Sequence, residues 1–306
     1  MYAMRAGIGF LAVVLTAAVG ACGDGKKTGG AHGPIVVAST DVWGSVAQAI
    51  AGDNAKVTSI ITGAAADPHS FEASPADATA IIDATLVVYN GGGYDQWVDD
   101  ILTSHPGVAS IDAYALLNAA ALGEPARAST PPANEHVFYD LDTAKAVAAD
   151  LAGTLAQADP GHAAEYASNA EAFNREADTV LQLEKSIRTT HPGAAVVATE
   201  PVAHYMLIAA GLTDKTPKGF TSAVEQDTDP APVDVAAMLD LISGRQVDAV
   251  LINPQTATAV TKEIQAAADS AGIPTVNITE TLPAGTDYLA WQRDTASRLA
   301  AALQQN

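Results

Sequence analysis

From residue 34 onward, short runs of apolar residues alternate with longer stretches in which apolar residues recur at helical spacing. The short runs predict buried strands, and the longer stretches predict helices with one apolar face. Strands and helices that alternate in this way are typical of a parallel sheet covered by helices. The predicted strands are residues 35–38, 57–61, 86–89, 108–111, 195–198, 247–252 and 275–278. The predicted helices are residues 42–51, 75–83, 94–104, 143–156, 163–189, 202–210, 233–243, 256–271 and 287–304.

The helix predicted at residues 163–189 is unusually long. No Pro or Gly interrupts it, and its apolar members include Tyr166, Phe173, Val180, Leu183 and Ile187. At ~1.5 Å per residue it reaches on the order of 40 Å, which is enough to run past two domains. We therefore predict an α/β protein of two lobes, each with a parallel sheet flanked by helices, joined by this one linking helix.

The N-terminus has the pattern of an export signal. Arg5 precedes the apolar run of residues 7–22, which is too short to cross a bilayer comfortably. The run ends in Val19-Gly-Ala-Cys22, which resembles the lipobox of bacterial lipoproteins, and Cys22 is the only cysteine in the chain. We expect Cys22 to carry the lipid that anchors the protein to the membrane. The alternative is an ordinary secretory signal in which this cysteine is incidental.

A Gly-rich polar segment without periodicity follows the signal, and such a composition is typical of a flexible tether. The predicted organisation is therefore a lipoprotein signal peptide with a lipobox at residues 1–22, a tether at residues 23–33, an N-terminal lobe at residues 34–160, the linking helix at residues 161–190 and a C-terminal lobe at residues 191–306.

Charge narrows the range of partners. With 35 acidic and 15 basic residues, the chain has a formal net charge of −20. Nucleic acid and anionic membrane surfaces would repel a body of this charge, so we exclude both as partners of the folded part. The same charge is compatible with a cationic ligand.

The loop at residues 66–77 is the first candidate for chemistry. It follows a predicted strand and precedes a helix that begins at Pro75, and open α/β sheets bind their ligands in loops at the carboxyl ends of strands. His69 lies in this loop, and its neutral imidazole could face a cleft. A single loop histidine is more often a surface or capping residue, so His69 alone does not decide between the two interpretations.

Two stretches carry a resemblance to a known family. They are Asp67-Pro-His-Ser-Phe-Glu-Ala-Ser-Pro-Ala-Asp77 and Val88-Tyr-Asn-Gly-Gly-Gly-Tyr-Asp-Gln-Trp97. Both resemble motifs of the zinc/manganese solute-binding family of metal ABC importers, and further matches cover nearly the whole chain after the signal. The resemblance implies the type III solute-binding fold, an extracytoplasmic, monomeric lipoprotein, and the membrane permease of an ABC importer as its partner.

The resemblance also implies the metal ligands. His69 of the first motif matches the first ligand, and His136 in Asn134-Glu-His-Val-Phe-Tyr-Asp140 matches the second. Glu200 matches the third, and Glu280 matches the acidic fourth. Two neutral imidazoles and two carboxylates balance the charge of one divalent ion and give it mixed nitrogen and oxygen ligands. Each lobe contributes two of the four, so the ion is expected in the cleft between the lobes.

These residues have simpler alternatives. Glu200 could cap the predicted helix that follows it, and His204, four residues later, could then be the metal ligand. Glu280 could be a solvated loop acid. Asp140 could orient His136 from behind the metal site, or it could cap the helix that follows it.

The predicted function is to capture one divalent transition metal ion outside the membrane and deliver it to the permease, without catalysis. A surface adhesin or scaffold is one alternative. A metallohydrolase is another, but the chain has no HExxH or GxSxG motif and no evident general base beside the histidines.

The identity of the ion follows from the resemblance as well. Members with two histidines and two carboxylates tend toward manganese, whereas zinc members tend to have a third histidine and a His-rich loop. Residues 119–133 contain no histidine, and Glu200 adds a harder oxygen ligand. We therefore expect manganese as the cargo, with zinc second.

Overall fold

The computed structural model describes residues 1, 33–63, 68, 71–125, 133–226 and 228–304. The chain divides into two compact units, residues 1–31 and 32–306, and both sheets lie in the second. Cys22 and nearly all of the predicted signal peptide and tether lie outside the described residues, so the lipid anchor stays a prediction.

The first sheet has four parallel strands in the order β2-β1-β3-β4. All four residues of β3 are buried, which is why this strand is a continuous apolar run in the sequence. The strands are β1 (Ile35–Thr40), β2 (Lys56–Ile61), β3 (Leu86–Tyr89) and β4 (Ser110–Asp112). The helices between them are α1 (Asp41–Ala51), α2 (Pro75–Ile82) and α3 (Gln96–Ser104).

Three helices lead from the first sheet to the second: α4 (Ala119–Leu122), α5 (Leu141–Ala158) and the 28-residue α6 (Ala163–Thr190). Tyr166, Phe173, Val180 and Ile187 lie seven residues apart on α6, and all four are buried. They form the stripe by which α6 packs against neighbours that include α1 and α5. Glu184 is buried on the same helix.

The second sheet repeats the arrangement of the first, with four parallel strands in the order β6-β5-β7-β8. The strands are β5 (Ala195–Ala198), β6 (Thr213–Asp214), β7 (Ala249–Ile252) and β8 (Thr275–Asn277). The helices are α7 (His204–Ala210), α8 (Lys218–Val224), α9 (Pro232–Ser243), α10 (Ala259–Ala271) and α11 (Tyr288–Leu303). The predicted α/β fold with two parallel sheets and one long linking helix is confirmed.

Hydrogen bonds also join the two halves of the chain directly. The Tyr139 hydroxyl donates to the Thr279 carbonyl at 2.9 Å. From α11, the Tyr288 hydroxyl and the Gln292 side-chain amide both donate to the Phe138 carbonyl, at 2.7 and 2.9 Å. Because α11 and α6 both pack across the two halves, the lobes are connected by more than one element.

The structure departs from the predicted elements in four places. The helix predicted at residues 202–210 is a 3₁₀ turn at Pro201–Ala203 followed by α7. Three elements were missed, α4, β6 and α8: α4 has four residues, β6 has only two, both exposed, and α8 has seven. Segments this short carry too few apolar positions to show a period. The lobe boundaries at residues 160 and 190 stay predictions.

Candidate metal centre

The candidate centre lies where three parallel strands of the second sheet end. Glu200 follows β5, Asn253 follows β7 directly, and Glu280 follows β8. The sheet order makes β7 the neighbour of both β5 and β8, so Asn253 stands between the two acids. Loops at the carboxyl ends of strands, at the point where the strand order changes direction, are the usual ligand site of such sheets.

Glu280 is almost completely buried, with 1% of its surface exposed. Its Oε1 accepts a hydrogen bond from Asn253 Nδ2 at 2.7 Å, and its Oε2 lies 3.7 Å from His136 Nε2. Its backbone N–H donates to Gln255 Oε1 at 2.6 Å. The alternative that Glu280 is a solvated loop acid is therefore wrong.

His136 is buried, and a neighbouring side chain sets the orientation of its ring. Asn134 Oδ1 accepts the backbone N–H of His136 at 2.9 Å and lies 3.1 Å from its Nδ1. An oxygen that already accepts a backbone N–H is an acceptor, so Nδ1 carries the ring proton in the neutral imidazole. The Nε2 lone pair then faces Glu280, which is the tautomer a metal ligand needs.

Glu200 has an extended backbone, and its side chain makes no capping hydrogen bond to the 3₁₀ turn that follows. Its Oε2 instead accepts a short hydrogen bond from Asn253 Nδ2. The capping alternative for Glu200 is therefore wrong. His204 begins α7, so the 3₁₀ turn separates it from Glu200 and the two do not share an α-helical face. Its Nε2 lies 2.9 Å from Glu124 Oε1.

Asp140 caps α5. Its Oδ2 accepts hydrogen bonds from the backbone N–H and the hydroxyl of Thr143, at 3.1 and 2.6 Å. Burial raises the pKa of this carboxyl above its ordinary value. The capping alternative thus describes Asp140, and the hydrogen-bond partner at the Nδ1 atom of His136 is Asn134.

The remaining expected ligand, His69, lies outside the described residues, so its part in the site stays a prediction. Within the described ranges, no group of three or more His, Cys, Asp or Glu side chains is arranged to hold a metal ion. What the structure brings together is His136 against Glu280, and Glu280 joined to Glu200 through the amide of Asn253.

The sequence-based prediction missed the amides that hydrogen-bond to these candidate ligands, which are Asn134, Asn253 and Gln255. A signal for Asn253 was present, because it directly follows a predicted strand, at a position where α/β sheets bind ligands. The contact between Gln255 and Glu280 gave no such signal, since it joins loops 25 residues apart in the chain.

Comparison with known proteins identifies the family. The model of the family described as "ZnuA: Zinc-uptake complex component A periplasmic" matches residues 36–302. The chain belongs to this family. The ZnuA family consists of extracytoplasmic solute-binding components of metal ABC importers, so the protein is not an enzyme, and the importer permease is its partner.

Curated relatives of this chain are named for different metals. The manganese-binding lipoprotein MntA of Halalkalibacterium halodurans is 24% identical over 249 residues, which cover 79% of this chain and 80% of that protein. The iron-binding protein YfeA of Yersinia pestis is 29% identical over 155 residues, which cover 50% of this chain and 47% of that protein.

Solved structures share the ZnuA-family fold. The periplasmic zinc-binding protein TroA of Treponema pallidum superposes with a TM-score of 0.75 at 17% identity, covering 89% of this chain and 99% of that one. The laminin-binding adhesin Lmb of Streptococcus agalactiae gives a TM-score of 0.74 at 22% identity, covering 89% and 100%. In the part of the chain that the structure describes, none of the helices has the length and apolar character to cross a membrane.

Proposed function

We propose that the protein captures one divalent transition metal ion with His69, His136, Glu200 and Glu280, and releases it to the permease of its ABC importer. The observation that carries this proposal is the 3.7 Å approach of His136 Nε2 to Glu280 Oε2 at a site where both side chains are buried. An imidazole nitrogen and a carboxylate oxygen at this distance can both bind one ion. The family to which the chain belongs binds metals.

The charges of the donors support the same assignment. Two carboxylates offset the two positive charges of the ion, so the loaded site is close to neutral and its burial needs no further counter-ion. The neutral Nε2 of His136 adds a nitrogen donor of the kind that transition metals accept. Relatives are named for manganese and for iron, which are ions of this class.

We propose manganese as the physiological cargo, ahead of zinc. The reason is the donor set, in which Glu200 and Glu280 supply harder oxygen ligands than a site with three histidines would. Zinc binds more tightly than manganese to nearly any such site, so affinity measured in a test tube does not identify the cargo. Elemental analysis of protein purified from cells without chelator does identify the cargo. Zinc as the only metal found would contradict the proposal that the cargo is manganese.

The ligand assignment is tested with single variants and one matched control. His69→Ala, His136→Ala, Glu200→Gln and Glu280→Gln are each expected to lower manganese and zinc affinity by at least about tenfold in calorimetric titrations. His204→Ala is the control, because His204 pairs with Glu124 and is not expected to bind the ion. A silent Glu200→Gln together with a defective His204→Ala overturns Glu200 as the third ligand.

We also propose that acylated Cys22 anchors a monomeric protein to the membrane. The support is its position at the end of the apolar run and the lipoprotein names of relatives. Radioactive fatty acid is expected to label the wild-type protein in cells and not the Cys22→Ser variant. Labelling that survives Cys22→Ser contradicts the anchor, and a dimer in light scattering contradicts the monomer.

A further inference from the structure

Asp41, the first residue of α1, joins loops that follow strands of both sheets. α1 follows β1 directly, so Asp41 lies at the carboxyl end of the first sheet. Its Oδ2 accepts the backbone N–H of Gly63, which follows the neighbouring strand β2, at 2.8 Å. Its Oδ1 accepts the backbone N–H of Leu282 at 3.1 Å, over a sequence separation of 241 residues. Because Leu282 follows β8, one carboxylate bridges the carboxyl ends of the two sheets.

The bridge ends beside a candidate metal ligand, since Leu282 lies two residues after Glu280. On the other side of Glu280, the Thr279 carbonyl accepts the hydroxyl of Tyr139. The first half of the chain therefore holds the Glu280 loop at one point before the acid and at another after it. Both contacts keep Glu280 in the position in which its Oε2 lies 3.7 Å from His136 Nε2.

A second contact joins α1 to the same loop. Ser45 lies four residues after Asp41, on the same face of the helix, and its Oγ accepts the backbone N–H of Tyr288 at 2.9 Å. Tyr288 is the first residue of α11, which also packs on α1. The segment 282–288 is thus hydrogen-bonded to α1 at both of its ends. A shift of α1 relative to the second sheet would displace the loop that carries Glu280.

Charge makes the hydrogen bonds of Asp41 stronger than those of a neutral acceptor. Burial raises the pKa of its carboxyl, and the N–H groups of Gly63 and Leu282 oppose that rise because they favour the ionised form. A simpler role for Asp41 is to stabilise the N-terminus of α1, where a negative charge is favourable. That role needs no contact with Leu282, and it predicts no effect on metal binding.

We infer that Asp41 is a positioning residue for the metal site, which keeps Glu280 opposite His136 by bridging the two sheets. Asp41 acts through the Glu280 loop and is not itself a ligand. An ion shared by His136 and Glu280 is held only while the loop stays in place, so loss of the bridge should speed release of the ion. This inference rests on the proposed metal site.

The test is a double-mutant cycle with Asp41→Asn and Glu280→Gln, in calorimetric titrations with manganese. Asparagine puts an NH₂ group in place of one carboxylate oxygen, so one of the two N–H groups loses its acceptor. Alone, Asp41→Asn is expected to lower manganese affinity by about tenfold, the scale on which groups behind the ligands alter metal affinity. In the Glu280→Gln background it should lower affinity by less than about twofold, because no carboxylate is left to position.

Asp234→Asn is the matched control. It removes the same charge from the first turn of α9, which packs on α8 and α10, and is expected to leave manganese affinity unchanged. Stopped-flow release of manganese into a chelator separates the two roles of Asp41. Release from Asp41→Asn is expected to be about tenfold faster than from the wild type, since affinity differences between variants of one site arise mostly in dissociation.

Hydrogen exchange of the wild type gives a measurement that needs no variant. Manganese is expected to slow exchange of the Gly63 and Leu282 amides, although neither residue is a proposed ligand, because the loaded site holds both loops in place. Exchange of these amides that is unaffected by manganese would overturn the inference.

The titrations distinguish failure of the inference from failure of the site. If Asp41→Asn lowers affinity equally with and without Glu280→Gln, or lowers it in neither background, Asp41 serves only α1, and the metal site stands. If the wild type binds no metal, or Glu280→Gln binds as tightly as the wild type, the proposed site itself has failed and the role of Asp41 fails with it.

Discussion

At the residue scale, the candidate centre depends on side-chain amides as much as on ligands. Asn134 orients His136, and Asn253 joins Glu200 to Glu280. An amide offers donors and an acceptor without adding charge, so it can hold a buried ligand in place while leaving the balance between the carboxylates and the ion unchanged.

The role of Asn134 can be tested separately from the ligands. Asn134→Ala removes the acceptor at Nδ1 of His136, so the ring can rotate or take the other tautomer, and we expect manganese and zinc affinity to fall by about tenfold. Asn134→Asp keeps an acceptor oxygen and is expected to retain more of the affinity. Asn54→Ala, which removes a surface contact to Glu165, is the control. Equal affinity for all three variants in calorimetric titrations would show that Asn134 does not orient the ring.

At the element scale, α6 carries a charge-bearing side chain within its buried face. Burial, together with the smaller effect of the negative charge of Asp140, raises the pKa of Glu184 to about 8. An ordinary glutamate has a pKa of 4.5, so the folded protein binds a proton at Glu184 that the unfolded chain releases between these two values. The free energy of unfolding therefore falls as pH rises from 4.5 through about 8.

This dependence predicts the behaviour of Glu184→Gln, which keeps the shape of the protonated acid but cannot ionise. Relative to the wild type, the variant is expected to gain stability as pH rises from 5 to 9, by up to ~4 kcal/mol. Urea unfolding of metal-free protein at several pH values measures the difference. Glu176→Gln on the exposed side of α6 is the control and is expected to show no such gain. Parallel pH profiles for the wild type and Glu184→Gln would contradict the buried protonated state.

The elements themselves were largely predictable, and the site only in part. Strands such as β3, β5 and β7 are buried on both faces, so each is a continuous apolar run, and the seven-residue stripe of α6 is equally visible. The burial of Glu280 could not be predicted from its neighbours in the chain, because it is buried by contacts with His136 and Asn253 from other loops. Capping of α5 by Asp140 was one of two alternatives that the sequence left open, and orientation of His136 by Asp140 was the other. The local sequence does not show which side chain hydrogen-bonds to a histidine.

At the scale of the whole molecule, the two lobes are connected by α6 and also by direct hydrogen bonds. The contacts of Tyr139 with Thr279 and of Tyr288 with Phe138 are buried or partly buried, and they join distant parts of the chain. A wide opening between the lobes would break both, along with the packing of α11 on α6. Binding and release of the ion should therefore proceed through small displacements of loops and lobes.

Metal binding is expected to stabilise the folded protein strongly while the lobes move only slightly. At a thousandfold excess over the dissociation constant, manganese should stabilise the folded state by ~4 kcal/mol, which raises the melting temperature. The radius of gyration from small-angle scattering should change by less than about 1 Å between protein in manganese and protein in chelator. A larger contraction on adding manganese would mean that the contacts between the lobes open in the metal-free state.

The hydrogen bond from Tyr139 to Thr279 spans 140 residues of the chain, and His136 meets Glu280 over a similar separation. Contacts between such distant residues form late in folding, because closing the long loop between them costs entropy before the contacts can stabilise the chain. The unfolded chain therefore has no complete candidate site, and an ion can lie between His136 and Glu280 only after the two halves of the chain have come together.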